Sequence, residues 1–208
     1  MKSVLISIQP KWCEKIKRII GQKDRTPIYE KTVEIRKNRP KIETPFKCYI
    51  YETQALYKGA GGCLFNGIGK VIGEFVCDSI QAYESEFVDD DCFESIASLD
   101  YEEETGFIEW SNDSNFPYES IDLYKKSCVT YEELKKYIGL GFNKFYGWNI
   151  SDLVIYDKPK ELSEFHKVGY TETKESVSWL TRDEENSWQI KRPPQSWCYV
   201  EELKGGVE

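Results

Sequence analysis

Apolar and polar positions change period several times along this chain, and each change marks an element. "VLISIQP" reads as a first strand, Val4 to Ile8. Pro10 then opens a helix, in which Trp12, Cys13, Ile16, Ile19 and Ile20 fall on one stripe and Lys11, Lys15, Lys17 and Arg18 lie off it. "GQKDRTP" reads as a loop. Strands follow at 31–37 and 47–53, joined by "RPKIETP" with its two prolines. "GAGGCLFNG" predicts a hairpin turn around Asn66-Gly67. "GKVIGEFVCDSIQAY" reads as one long strand in which Gly73 marks a bulge or a close backbone approach. "TYEELKKYIG" is a helix with Thr130 and Glu133 as its capping box, a stripe of Tyr131, Leu134, Tyr137 and Ile138, and Gly139 as its stop. "KFYGWNISDLVIYD" gives one or two strands and "KPKELSEF" a short helix after Pro159. Residues 167–191 have weak periodicity and read as a loop or hairpin excursion, and residues 193–201 close the chain as a final strand.

Short strands scattered among a few helices, without a βαβ rhythm, indicate a mixed α+β fold or a small barrel. At 208 residues the chain can bury one good core with an appendage. The division expected is 1–166 as the main domain, carrying an acidic insertion at 84–122, and 167–208 as an extension whose last strand packs back on the barrel. No apolar run is long enough to span a bilayer, and the opening "MKSVLISIQPKW" has too short an apolar stretch for a signal peptide, so the expectation is a cytoplasmic protein without a membrane partner.

Charge changes the picture more than composition does. The net charge is -8, yet residues 10–47 hold twelve Lys/Arg against five Asp/Glu, and residues 84–122 hold fourteen Asp/Glu and no Lys/Arg. Potential at a surface is local, because the Debye length is about 8 Å at physiological salt. A polyanionic partner is therefore compatible with the acidic total. The acidic segment could mimic nucleic acid, occupy the basic region of its own chain, or be a solvated insertion.

Seven cysteines, an odd number with no CxxC pair, and a single histidine do not make a zinc site, and they read as buried free thiols; no metal or cofactor is expected. The glycines fail as phosphate loops, since Leu64 stands where both GxGxxG and the P-loop need glycine and Val71 where the P-loop needs Ser/Thr. His166, alone in a polar stretch, reads as a solvated residue, which argues against triad chemistry.

In the strand at 31–37, Thr32, Glu34 and Arg36 share one face, and Lys31, Val33, Ile35 and Lys37 share the other. If Val33 and Ile35 are buried, the Thr/Glu/Arg face opens to solvent as a plain ion-pair surface, or to a cleft. Trp12, Trp148, Trp197, Tyr49, Tyr51 and Tyr146 come from segments expected nearby. Cations follow phosphates and aromatic rings stack on bases, so this combination suits a nucleotide.

These residues resemble the ASCH domain family of the PUA-like superfamily. The resemblance lies in "VLISIQPKWCEKI", "KTVEIRKNRPK", "YIYET", "GKVIGEFVCD", "YGWNISDLVIYDKPKEL" and "PPQSWCYVE", about a third of the chain, in order. Lys31, Glu34 and Arg36 match the last three fixed positions of G-x-K-x-x-E-x-R, with Tyr29 in place of the glycine. The form is similar to ASCH proteins carried by phages and prophages of Gram-positive bacteria. The resemblance implies a PUA-like small β-barrel with flanking helices, a cleft beside the first helix, and RNA or a modified nucleotide as partner. Lys31, Arg36, Lys37 and Arg39 would then contact phosphate, Glu34 would orient Lys31 or pair with a base, and Trp12 or Trp148 would stack. Lys11, Thr32 and Ser151 complete the expected binding set. Some members remove the acetyl group of N4-acetylcytidine with a lysine, a threonine three residues later and a distant glutamate. Lys31 matches that lysine, Glu34 takes the threonine's place, and the glutamate's place falls near Ser127. Lys31 and Glu34 are the catalytic candidates if the chain is such an amidohydrolase.

Overall fold

The computed structural model describes residues 2–58, 64–87, 95–99, 118–177 and 179–203. The chain divides into two compact units, each built from separated segments.

The first unit takes Met1–Glu14, Pro45–Val76 and Ser151–Glu208. The apolar run near the start forms β1, Lys2–Ile8, and six of its seven residues are buried. It is an interior strand of its sheet, with parallel β5 (Phe46–Glu52) on one side and antiparallel β13 (Trp197–Glu201) on the other. The sheet continues past β5 to β8 (Lys70–Cys77) and β12 (Ser151–Lys160). Leu5, Tyr49, Tyr51, Val71, Phe165, Ile190 and Val200 form its core, in which the Tyr49 and Phe165 rings meet edge to face at 4.9 Å. The Tyr49 hydroxyl accepts the Leu203 amide at 2.8 Å, which fastens the end of the described chain to the core.

Gly73 lies where close approach was expected. A Cβ there would sit 2.3 Å from the Val154 carbonyl oxygen, and the β8–β12 register shifts on either side of the Val154–Ile155 pairs. The turn at Asn66-Gly67 is a correction. β6 (Leu56–Lys58) pairs with β7 (Leu64–Asn66), and Asn66 lies opposite Leu56 at the ladder's end; residues 59–63 are outside the described residues. Gly67 is fixed for another reason. A Cβ on it would come within 1.9 Å of the Thr53 carbonyl oxygen and 2.4 Å of Pro10 Cγ. Backbone cannot yield as a flexible side chain can, so Gly67→Ala is expected to destabilise the protein by about 1–3 kcal/mol in urea unfolding. A change below about 0.5 kcal/mol would mean the contact relaxes freely.

Residues 167–191 also depart from expectation, forming α4 (Tyr170–Ser176) and α5 (Arg182–Trp188). Thr181 and Glu184 form a capping box at the start of α5, a signal present in the sequence as T-R-D-E. The short helix after Pro159 is a 3₁₀ turn, Leu162–Glu164. His166 is half-buried and stacks face to face on Tyr170 at 4.0 Å, and burial lowers its pKa from the ordinary value.

The second unit takes Lys15–Thr44 and Cys77–Ile150. The chain passes into it within α1, Pro10–Lys17. Cys13 and Ile16 are fully buried, but Ile19 and Ile20 leave the helical stripe, begin β2 (Ile19–Lys23) and are exposed. The expected loop at 21–27 is instead the end of β2 and the start of β3 (Thr26–Tyr29), which pair as a hairpin. The long strand expected over 69–83 breaks at Asp78–Ser79, so that β8 and β9 (Ile80–Phe87) belong to different sheets. The second sheet runs β10 (Ser95–Leu99), β9, β11 (Gly141–Asn149), β4 (Val33–Arg36). Helices α2 (Tyr118–Ser127) and α3 (Tyr131–Ile138) supply Leu123, Leu134 and Ile138 to a core with Val33, Ile35 and Phe145. The Thr130–Glu133 capping box and Gly139 stop frame α3 as its sequence indicates, although Tyr137 of the expected stripe is 41% exposed. Of the expected acidic insertion, residues 88–94 and 100–117 lie outside the described residues.

The architecture is mixed α+β, with five α-helices among the described residues. Among the same residues no sheet closes on itself; the strands form two open sheets and two hairpins rather than the small barrel expected. Residues 167–203 belong to the first unit, where β13 edges the sheet through β1. No helix of the described residues is long and apolar enough to cross a membrane.

Candidate functional site

The strand β4 is shorter than the alternation of residues 31–37 predicts, and the difference builds the site. Its register against β11 pairs Glu34 with Trp148 and Arg36 with Tyr146, while Ile35 faces Gly147. Val33 and Ile35 go to the core of the second unit. Glu34 and Arg36 therefore share the other face of the sheet with Trp148 and Tyr146, since directly opposed residues in an antiparallel pair point the same way. This face is not solvated: Glu34 is 5% exposed, Arg36 6% and Trp148 0%.

Lys31 reaches the same face, which corrects the expected parity. Regular strand begins only at Val33, and residues 30–32 are pinned by other partners. The Lys31 amide donates to the Lys15 carbonyl, the Thr32 amide donates to the Lys126 carbonyl, and the Thr32 carbonyl accepts from the Ile150 amide. Freed from alternation, the Lys31 side chain turns to Glu34, with Nζ 3.2 Å from Oε2, while Arg36 Nη2 lies 2.8 Å from Oε1. One carboxylate thus takes a cation on each oxygen.

The Lys31 ammonium also donates to the Val33 carbonyl at 2.8 Å and the Ser127 carbonyl at 2.7 Å. Ser127 is the last residue of α2, where carbonyls lack intrahelical partners and the helix dipole is negative. Lys31 is therefore a C-terminal cap for α2 contributed by a distant segment. Cys128 follows in the left-handed region with φ 56°, and its thiol donates to the Glu30 carbonyl at 3.2 Å. Burial pushes the Cys128 thiol up from its ordinary pKa, against the pull of Lys15 and Lys31.

The resemblance placed a distant glutamate near Ser127. The structure sets that position beside Lys31, but it presents a backbone carbonyl there and no carboxylate. Nothing in the sequence of α2 announced this contact, because the contact is made by a helix end rather than by a side-chain type.

Lys31 is 1% exposed, and burial lowers its pKa from the ordinary value while Glu34 pulls the other way. A lysine that holds its proton less tightly when folded leaves the unfolded chain with more bound protons just below 10.5, so the stability attributable to Lys31 rises with pH across that window. Urea unfolding of the wild type and Lys31→Met between about pH 7.5 and 10 is expected to show the difference moving in the wild type's favour. Movement in the opposite sense would show that the carboxylate dominates.

The other expected residues fall in several places. Thr32 is half-buried, while Lys37 and Arg39 are exposed on the loop leaving β4, with Lys37 Nζ 5.5 Å from the Tyr137 ring centroid. Lys11 and Trp12 belong to the first unit, where the Lys11 ammonium lies 4.4 Å from the Trp12 ring centroid. Ser151 begins β12 in that unit and donates its hydroxyl to the Val76 carbonyl at 2.8 Å. Two roles are corrected by geometry. Lys31 spends its ammonium on three protein acceptors rather than facing a phosphate, and Trp148 is sealed in the interior rather than presented for stacking. Tyr146, opposite Arg36 on the same face, is half-buried.

Among the described residues no group of three or more His, Cys, Asp and Glu side chains is arranged to hold a metal ion. Cys13, Cys48, Cys77, Cys128 and Cys198 are free thiols, and Cys63 and Cys92 lie outside the described residues.

No family model matches the chain, and no curated protein matches it. Among solved structures, the chain is similar to ASCH from Zymomonas mobilis, with a TM-score of 0.48 and 14% identity over 96% of this chain and 87% of that one. Two point mutants of that protein give TM-scores of 0.49 and 0.47 at 14% and 15% identity, covering 97% and 96% of this chain and 91% and 88% of theirs.

Proposed function

We propose that this chain is an ASCH-type, PUA-like module of the phage or prophage kind, acting in the cytoplasm, whose Glu34–Arg36 face recognises one unit of RNA or a modified nucleotide. The observation that carries the reading is the Lys31–Glu34–Arg36 cluster, matching K-x-x-E-x-R in spacing and held almost out of water. Buried ion clusters are costly compared with aliphatic packing, so their presence favours a task beyond stability. Glu34 and Arg36 are an acceptor and a planar fork of donors, the groups that read a base edge or a phosphate; at 5% and 6% exposed and paired with each other at 2.8 Å, they meet a ligand only when it opens this face. Lys31 is a positioning residue, which fixes the Glu34 carboxylate and joins β4 to α2. Lys37 and Arg39, exposed just beyond, are placed for phosphates.

The test is fluorescence anisotropy with a labelled twelve-nucleotide single-stranded RNA over about 50–300 mM salt. Affinity is expected to fall with salt, and Lys37→Ala/Arg39→Ala to flatten the log–log slope by about 0.7 for each phosphate that is no longer neutralised. Affinity independent of salt would overturn the reading.

A second reading is amide hydrolysis of an acylated nucleoside such as N4-acetylcytidine. It is favoured by one observation: burial lowers the pKa of Lys31, which brings its free amine nearer to neutral pH. Turnover of N4-acetylcytidine that disappears in Lys31→Ala, with folding retained, would establish it; intact binding without turnover would leave the first reading.

A further inference from the structure

β2 and β3 form a two-stranded sheet of their own. Seven of their nine residues are exposed, including Ile19 at 58%, Ile20 at 62% and Ile28 at 42%. A lone ribbon is marginal in water, and burial does little to hold this one. Two independent features indicate its use.

The first is the turn. Asp24 and Arg25 both have positive φ, 49° and 69°, the signature of a two-residue type I′ hairpin loop. Glycine is the relaxed residue at the second of these positions, and an arginine there is strained. The tip therefore carries a cation where the backbone alone would select against one. The second feature is charge. Lys17, Arg18, Lys23 and Arg25 are all exposed on or beside the ribbon, whereas Glu30 at its base is engaged by Lys15 at 2.8 Å and Arg18 at 3.3 Å. Against these four cations the ribbon exposes one acid, Asp24 at its tip, so its surface is on balance cationic with aliphatic patches, which complements phosphates separated by sugars. A two-stranded ribbon also has the width to follow a nucleic-acid groove or strand. β3 then leads through Glu30 directly into Lys31.

We infer that the β2–β3 ribbon is an arm that grips the sugar–phosphate backbone of a nucleic acid, one nucleotide of which occupies the Glu34–Arg36 face. The ligand is then a polynucleotide rather than a free nucleoside or mononucleotide; this rests on the nucleotide reading of that face. Lys23 and Arg25 contact successive phosphates, and Ile20 and Ile28 lie against the sugars.

The experiment compares a twenty-nucleotide single-stranded RNA, a DNA strand of the same sequence and cytidine 5′-monophosphate, all by titration calorimetry. The variant is Lys23→Gln/Asp24→Asn/Arg25→Gly, which supplies the preferred Asn-Gly turn while removing both cations, so the melting temperature should hold. The expected result is a fivefold to tenfold loss of affinity for the RNA strand, a salt slope flatter by about 1.4, and unchanged mononucleotide binding. Equal loss on the DNA strand supports the arm as a backbone grip for either nucleic acid. If oligomer affinity and slope are unchanged while the mononucleotide still binds, the arm is overturned and the site reading stands. If the variant weakens the oligomer but the mononucleotide never binds to wild type, the arm stands as a grip and the site reading falls. If neither ligand binds wild type, both are overturned, and the ribbon's exposed isoleucines are left to a protein partner.

Discussion

Replacing Glu34 with alanine is expected to lower folding stability by about 3–5 kcal/mol. The carboxylate sits between two cations, Lys31 at 3.2 Å and Arg36 at 2.8 Å, and all three residues are nearly sealed from water. Alanine removes the countercharge without removing the charges, so two desolvated cations are left facing each other across a small void. Much of the loss is the penalty on the groups left behind rather than the worth of the pair. That distinction is testable. Glu34→Gln keeps the shape and some hydrogen bonding, and is expected to cost less than alanine. Lys31→Met/Glu34→Leu/Arg36→Met removes all three charges and is expected to lie closer to wild type than Glu34→Ala does, while abolishing RNA binding. The triple variant still loses the ammonium at the α2 C-terminus, which keeps it from exceeding wild type by much. Chemical denaturation of the three proteins at about pH 7 decides the matter. A Glu34→Ala change below about 1 kcal/mol would mean that water reaches the cluster and that it is an ordinary surface pair.

Trp148→Ala is expected to cost about 3–5 kcal/mol as well, for a different reason. Trp148 is fully buried near the C-terminal end of β11, with Glu34 across from it on β4 and Ile80 on β9. Truncation empties an indole's volume in a sheet pinned on both sides, where neighbours cannot easily collapse into the gap. Trp148→Phe should recover more than half of the loss. The readout that separates packing from ligand stacking is the pairing of stability with binding: packing predicts a large fall in stability. A Trp148→Ala protein with wild-type stability and lost RNA affinity would return the indole to the role of a stacking platform.

Both predictions concern residues singled out by sequence, yet with roles the sequence did not disclose. The alternation Thr32-Val33-Glu34-Ile35-Arg36 was enough to put Val33 and Ile35 in the core and Glu34 and Arg36 on the opposite face. It misplaced Lys31, because a period of two holds only while the ladder holds, and here regular strand starts two residues later. Elsewhere the same limit recurs. The Thr130–Glu133 box named the start of α3 because capping is a local interaction over four residues. The single long strand read over 69–83 splits at Asp78–Ser79, since apolar periodicity is similar on both sides of the break and does not say which sheet will take each half. Ile19 and Ile20 fit a helical stripe by spacing and were claimed by a hairpin whose turn carries no glycine to signal it.

The sequence by itself determined the local matters: the strand at β1, the cap of α3, a bulge or close approach at Gly73, the alternating face of β4 and a cationic stretch within an acidic chain. These depend on neighbours within a few residues, where backbone geometry and side-chain type suffice. Only the tertiary structure decided that Lys31 closes the end of α2, that one carboxylate holds two cations out of water, and that Trp148 packs rather than projects. Each of those rests on segments far apart in the chain meeting at distances of a few ångströms, and burial, which sets what a charge is worth, exists only once they have met.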